Sequence, residues 1–249
     1  MKFSYSAVWE ETVRMMRSNA SLLLGIAGVF FFLPALLVGY FAPQPEGAET
    51  MTQMLNDIEA YFTENWVWLL AANIVNMVGA IAIYLLLFDV HGHTVGGAIA
   101  GALPILPFYF LLSFLTTALI LFAGLWFILP GIYLLGRLVV SGALMVGEGR
   151  RSPFAAIGGS WRLTKRKGWA VAGFVVIVAV VGWILTSVVT AVLGSVFILI
   201  GGQDGVGGLL VLILASALSA LFSLLLVVLF AAIYRRLSAP AASVPGTAH

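Results

Sequence analysis

The sequence contains no cysteine and very little charge. Without cysteine there is no disulfide framework, no thiol nucleophile and no thiolate metal site. Asp, Glu, Lys and Arg make up only 9% of the chain, against about 25% in an ordinary soluble domain. Twelve basic and ten acidic residues cannot cover the surface of a 249-residue globule. Soluble, disordered and collagen-like classes are therefore excluded. Catalytic signatures are also missing. No glycine-rich run ends in Gly-Lys-Ser/Thr, and there is no Gly-x-Ser-x-Gly elbow. Carboxylates are too sparse for a paired acid–base site within a membrane. The expectation is a protein that is not an enzyme and needs no cofactor.

What is present is apolar length. The apolar fraction is 62% and mean hydropathy is +1.11. Six runs approach or exceed the ~20 residues that cross a ~30 Å hydrocarbon core. They fall at 20–42, 66–88, 104–128, 131–147, 169–193 and 209–233. The first reads as a retained span, because it is longer than a signal h-region and lacks a small-x-small cleavage site. The fifth stays apolar to Ile200, which predicts tilt or a kink near Gly194. The predicted fold is an all-α polytopic membrane bundle over 1–237, six transmembrane helices with short interfacial amphipathic helices. Residues 238–249 read as a disordered tail by composition.

Between the spans, 43–65 is acidic and includes a helical stretch near 49–62, with Met51, Met54, Ile58 and Tyr61 on one stripe. Residues 89–103 read as a glycine-rich connection. Leu129-Pro130-Gly131 predicts a helix break and a tight hairpin, and 201–208 a flexible turn.

Charge sets the orientation. Lys2, Arg14 and Arg17 precede the first span. Arg150, Arg151, Arg162, Lys165, Arg166 and Lys167 follow the fourth. Arg235 and Arg236 follow the sixth. With six spans, all of these lie on one side. Glu46, Glu49, Asp57, Glu59, Glu64 and Asp204 lie on the other, with no Lys or Arg. The positive-inside rule then puts both termini in the cytoplasm. Residues 6–36 and 154–184 also correspond at an offset of 148, pairing Arg14 with Arg162, Arg17 with Lys165 and Thr12 with Ser160. Either a parallel duplication or the generic look of a helix ahead of a span accounts for it.

The twelfth basic residue, Arg137, lies inside a span, where a charge costs about 2.5–3.5 kcal/mol on insertion scales. Counted from Gly131, it is roughly 9 Å from the outer end. Asn73 and Asn76, an i,i+3 pair on the second span, lie at similar depth. Arg137 is therefore expected to reach their carbonyls or those freed near Pro130. A solute or headgroup site, a structural clamp and an arginine snorkelling to the outer headgroups all fit.

The second candidate is 149–169. Ser152-Pro153 starts a helix, with Phe154, Ile157 and Trp161 on one face. Arg150, Arg151, Arg162, Lys165, Arg166, Lys167 and Trp169 surround it. This reads as an interfacial helix contacting anionic phospholipid headgroups at the cytoplasmic face, or as topology control by charge. Nucleic acid is not an expected partner. Asp89, His91 and His93 offer two imidazoles and a carboxylate but no third ligand, so no metal site is expected. Small-xxx-small patterns at Gly92/Gly96, Gly97/Gly101, Ala215/Ser219/Ser223 and Ser187/Ala191/Ser195 indicate close helix packing, within the bundle or with a homo-oligomeric or other membrane-protein partner.

One stretch carries a likeness. Leu129-Pro130-Gly131-Ile132-Tyr133, Arg137, Gly147-Glu148-Gly149, Ala155-Ala156, Ser160-Trp161-Arg162-Leu163-Thr164 and Trp169 together resemble the membrane domain attached to some bacterial glycerophosphodiester phosphodiesterases. They are also similar to YciC-like inner-membrane proteins. The resemblance covers roughly 45 residues at motif level and implies a bacterial inner-membrane location. In those phosphodiesterases the chemistry belongs to a separate soluble barrel of ~250 residues, for which this chain has no room. No histidine here is followed by glutamate, so the activity is not carried over. The expected function is non-catalytic handling or organising of phospholipid. The alternative is a small-solute transporter or channel.

Overall fold

The computed structural model describes residues 3–43, 50–88 and 94–239. It is 88% helical, and there is no strand among the described residues. Among the described residues eleven α-helices follow one another: α1 (Tyr5–Ser18), α2 (Ala20–Ala27), α3 (Leu33–Phe41), α4 (Met51–Phe88), α5 (Val95–Ala102), α6 (Leu106–Trp126), α7 (Ile128–Leu138), α8 (Ser141–Gly147), α9 (Pro153–Leu163), α10 (Gly168–Gly201) and α11 (Val206–Ser238). A π-helical turn, Gly28–Phe32, joins α2 to α3 without ending the helix. Six helices, counting α2–α3 and α7–α8 as one each, are long and apolar enough to cross a membrane. The expected all-α multi-pass bundle is what the chain forms.

Several boundaries differ from the sequence reading, each for a local reason. The stretch 49–62 and the second span are a single helix, α4, of 38 residues. No glycine or proline interrupts it before Gly79, and the polar Asn65 bonds back to the Tyr61 carbonyl at 3.0 Å instead of opening a linker. The hairpin after α6 turns at Phe127, in extended conformation, and not at Pro130. Pro130 sits in the first turn of α7, where its missing N–H costs nothing. The glycine-rich connection contains α5, started by Thr94. The fifth span runs unbroken through Gly194 to Gly201. Asp89, His91, His93 and nearly all of the tail lie outside the described residues.

Three short helices, two of them amphipathic and α5 apolar throughout, are built alike. Ser4, Thr94 and Ser152 are N-caps whose hydroxyls accept from Ala7, Gly97 and Ala155 N–H at 3.4, 3.2 and 3.4 Å. Such a cap satisfies an amide that the first helical turn leaves free. In each case the residues four and eight beyond the cap are buried: Val8 and Thr12, Ala98 and Ala102, Ala156 and Ser160. That spacing is one helix face. The faces pack in cyclic order, α5 on α4, α9 on α8, and α1 on α11. Each of these short helices leads into a hairpin of two long helices. The second member of each hairpin faces inward, and α4, α8 and α11 all touch one another. The correspondence at offset 148 is thus two members of a threefold set, with Thr94 opening the third.

The inner helices converge where Phe88 and Tyr234 meet edge to face, 5.2 Å apart. Gly147 leaves room for both: a Cβ there would lie 2.8 Å from Tyr234 and 3.2 Å from Phe88. Replacing Gly147 by leucine is expected to cost about 1–3 kcal/mol by overpacking. Gly158→Ala, where nothing lies within 4 Å, should be neutral or stabilising by a few tenths. Thermal unfolding in detergent distinguishes the two.

Candidate functional site

The helix break between α7 and α8 creates the first feature. At Val139–Val140 the chain leaves helical geometry, which strips the preceding carbonyls of their amide partners. Side chains replace them. Ser141 Oγ donates to the Leu138 carbonyl at 2.6 Å. Ser160 Oγ and Thr164 Oγ1, from α9 and its end, donate to the Arg137 carbonyl at 2.6 and 3.3 Å. All four residues Arg137, Ser141, Ser160 and Thr164 are buried.

The Arg137 side chain is held in the same place. It is 4% exposed. Its guanidinium carbon lies 4.1 Å from the Trp161 ring centroid and 5.8 Å from that of Tyr133. Tyr133 meets Trp161 edge-on at 6.3 Å and Trp169 at 5.3 Å. A desolvated cation–π contact contributes about 2 kcal/mol. Two glycines allow the crossing: a Cβ on Gly136 would lie 2.4 Å from the Gly168 carbonyl, and one on Gly168 would lie 2.7 Å from Arg137 Cδ. No carboxylate neutralises the charge among the described residues, and Nε has no hydrogen-bond partner. Arg137 is a buried cation with aromatic walls and no anion.

This differs from the expected placement. Arg137 packs under α9 and against the first residue of α10, at the end of the bundle called the basic end below. Asn73 and Asn76 line a separate cleft whose wall excludes Arg137. No hydrogen bond joins them to it among the described residues. The depth was misjudged because it was counted along one helix, and the neighbour that sets the level is α9.

The basic segment divides into two classes. The bundle-facing side of α9 is small: Pro153, Ala156, Gly159 and Ser160 are buried. Phe154 is 70% exposed and points away from the bundle, whereas Trp161, 42% exposed, lays its ring over the Arg137 guanidinium and leaves only its outer part free. Arg151, Arg162, Lys165 and Arg166 are exposed and Lys167 is half-buried. Arg150 is not free, because its Nε bonds to the Glu148 carboxylate.

A second ionic feature escaped the sequence reading. Glu11 is buried on the face of α1 that packs on α11. Its carboxylate pairs with Arg14, with Arg235 at 3.6 Å and with Arg236 at 4.0 Å. Hydrogen bonding to Glu11, then its charge, raises the Arg14 pKa. The signal was available: Glu11 shares a stripe with Val8, Thr12 and Met15, so a charge stands on an otherwise apolar face.

Together these features define a multi-pass helical membrane protein with an unneutralised cation buried at its basic end. Compared with known proteins, the chain matches no family model and no solved structure.

Glu11→Gln is expected to loosen α1 by about 1–2 kcal/mol. That is less than a fully buried pair, since both α11 arginines reach solvent. Hydrogen exchange should quicken across 5–18 while α4 and α8 stay protected. Unchanged exchange in α1 would show that the pairing contributes nothing.

Proposed function

We propose that this chain is a non-catalytic protein of a bacterial inner membrane that binds and organises phospholipid through its basic end. Arg137 carries the reading. A buried guanidinium without a counter-anion is costly, and a phosphate supplies the anion and accepts the free Nε–H in a fork geometry that arginine matches. Arg162, Lys165, Arg166 and Lys167 follow within the same segment. Each contributes about 1 kcal/mol beside anionic lipid. Trp161 and Trp169 flank the same segment, and indoles favour the headgroup region. In this reading the basic end is cytoplasmic, and anionic phospholipid is the partner. The likeness of 125–170 to the phosphodiesterase-linked and YciC-like membrane domains is part of the same proposal.

Native mass spectrometry of protein extracted gently from its own membrane tests the headgroup site. The wild type should retain an anionic phospholipid that Arg137→Gln loses by about tenfold or more, since a charge-assisted hydrogen bond contributes about 1.5–3 kcal/mol. Arg137→Lys, which keeps the charge but not the fork, should retain an intermediate amount. Absence of lipid from wild type and variants alike would overturn the reading and direct attention to solute flux.

Orientation has its own test, and the absence of native cysteine makes it clean. Ser238→Cys should be protected from an impermeant maleimide in intact cells, whereas Thr63→Cys on α4 should be labelled. The reverse pattern would invert the topology.

A further inference from the structure

The second cavity has a different chemistry from the Arg137 site. It is a cleft of about 690 Å³ between α4, α6 and α11, closed on one side by Phe31. That volume falls within the range of small-molecule pockets. Leu70, Phe114 and Leu121 on its rim are all exposed, so the cleft opens toward the surface that faces lipid. Its depth follows from α4. Phe41 stacks on Trp68 at 5.2 Å, and exposed Tyr40, Trp66 and Trp68 mark an interfacial aromatic belt. Asn73 and Asn76 lie five and eight residues further in, about 7.5 and 12 Å by helical rise.

At that depth polar side chains should have partners. Thr116, just beside the cleft, bonds back to the Leu112 carbonyl at 2.9 Å. Apart from Tyr109, the cleft's polar residues, Asn73, Asn76, Ser113, Thr117 and Ser223, make no side-chain hydrogen bond among the described residues. Asn73 and Thr117 are exposed. Two amides and three hydroxyls thus point donors and acceptors into a space bordered by hydrocarbon. The wall holds no Asp, Glu, Lys, Arg or His, so an ion inside would be uncompensated. Tyr109 and Ser113 also line a smaller adjoining chamber of about 240 Å³ that reaches Ser141 and Gly142, which extends the polar wall inward.

We infer that this cleft is a lateral binding site for an uncharged glycerolipid, a diacylglycerol-type molecule whose hydroxyl and ester carbonyls meet the unpaired amides and hydroxyls while its chains lie along Phe114 and Leu121. The site is independent of the phosphate reading at Arg137. A phospholipid would bring an anion to a wall without a cation, whereas a diacylglycerol brings one donor and several acceptors and no charge.

A diacylglycerol with a photoactivatable diazirine in one chain, mixed into phosphatidylcholine nanodiscs holding the full chain, tests it. Cross-links are expected on peptides covering 70–80 and 109–121. Asn73→Leu/Asn76→Leu should reduce them at least fivefold, and Arg137→Gln should leave them unchanged. The leucine pair suits lipid better than asparagine, so an unaltered melting temperature shows that the variant folds. Equal yield in the folded double variant would overturn the assignment. So would absence of label from both helices, or equal labelling by a phosphatidic acid carrying the same diazirine chain.

Discussion

Lipid offers the backbone no hydrogen bonds, and at three helix starts and one helix break in this bundle a side chain supplies the missing partner. Ser4, Thr94 and Ser152 cover free amides at three helix starts, and Ser141, Ser160 and Thr164 cover free carbonyls at the α7–α8 break. Most of these residues also fix packing. Ser160 can reach the Arg137 carbonyl only because the small face of α9 lies directly on α7 and α8. The same contact carries Trp161 over the guanidinium. Backbone satisfaction, helix placement and the buried cation are one arrangement.

Small residues set the spacing on which that arrangement depends. Gly136 and Gly168 let α7 and α10 cross at backbone distance, and Gly147 lets three inner helices meet beside Phe88 and Tyr234. Bundles in lipid hold together by such close approach, since burying apolar surface contributes little when the solvent is itself apolar. The outer helices α6 and α10 show the membrane long apolar faces, while their glycines meet α7 and α11 at close range on the inner side.

The parts of this architecture that were legible in the sequence are those encoded by continuous composition. The six apolar runs and the Ser152-Pro153 helix start correspond to observed elements. What could not be read depends on contacts between segments distant in the chain. The depth of Arg137 is set by α9 and Gly168, which no counting along α7 reveals. The fusion of 49–62 with the second span depends on Asn65 turning its amide back onto its own helix. The third of the short capped helices was hidden because Ala98 and Ala102 do on α5 what Thr12 and Ser160 do elsewhere, and alanine carries no polar signal. Asn73 and Asn76 were visible as unusual residues; that they belong to a different cavity from Arg137 was not.

The cyclic packing also sets an order of assembly. Helix α1 leaves the ribosome well before α11, yet the surface that covers Val8 and Glu11 belongs to α11, more than two hundred residues later. At synthesis rates of about 5–20 residues per second that is a wait on the order of 10–40 s. During that interval the first helix has an uncovered apolar stripe with a carboxylate in it, and the ring of units has a gap. Arrival of Arg235 and Arg236 closes both at once, so the end of α11 completes the packing of α1.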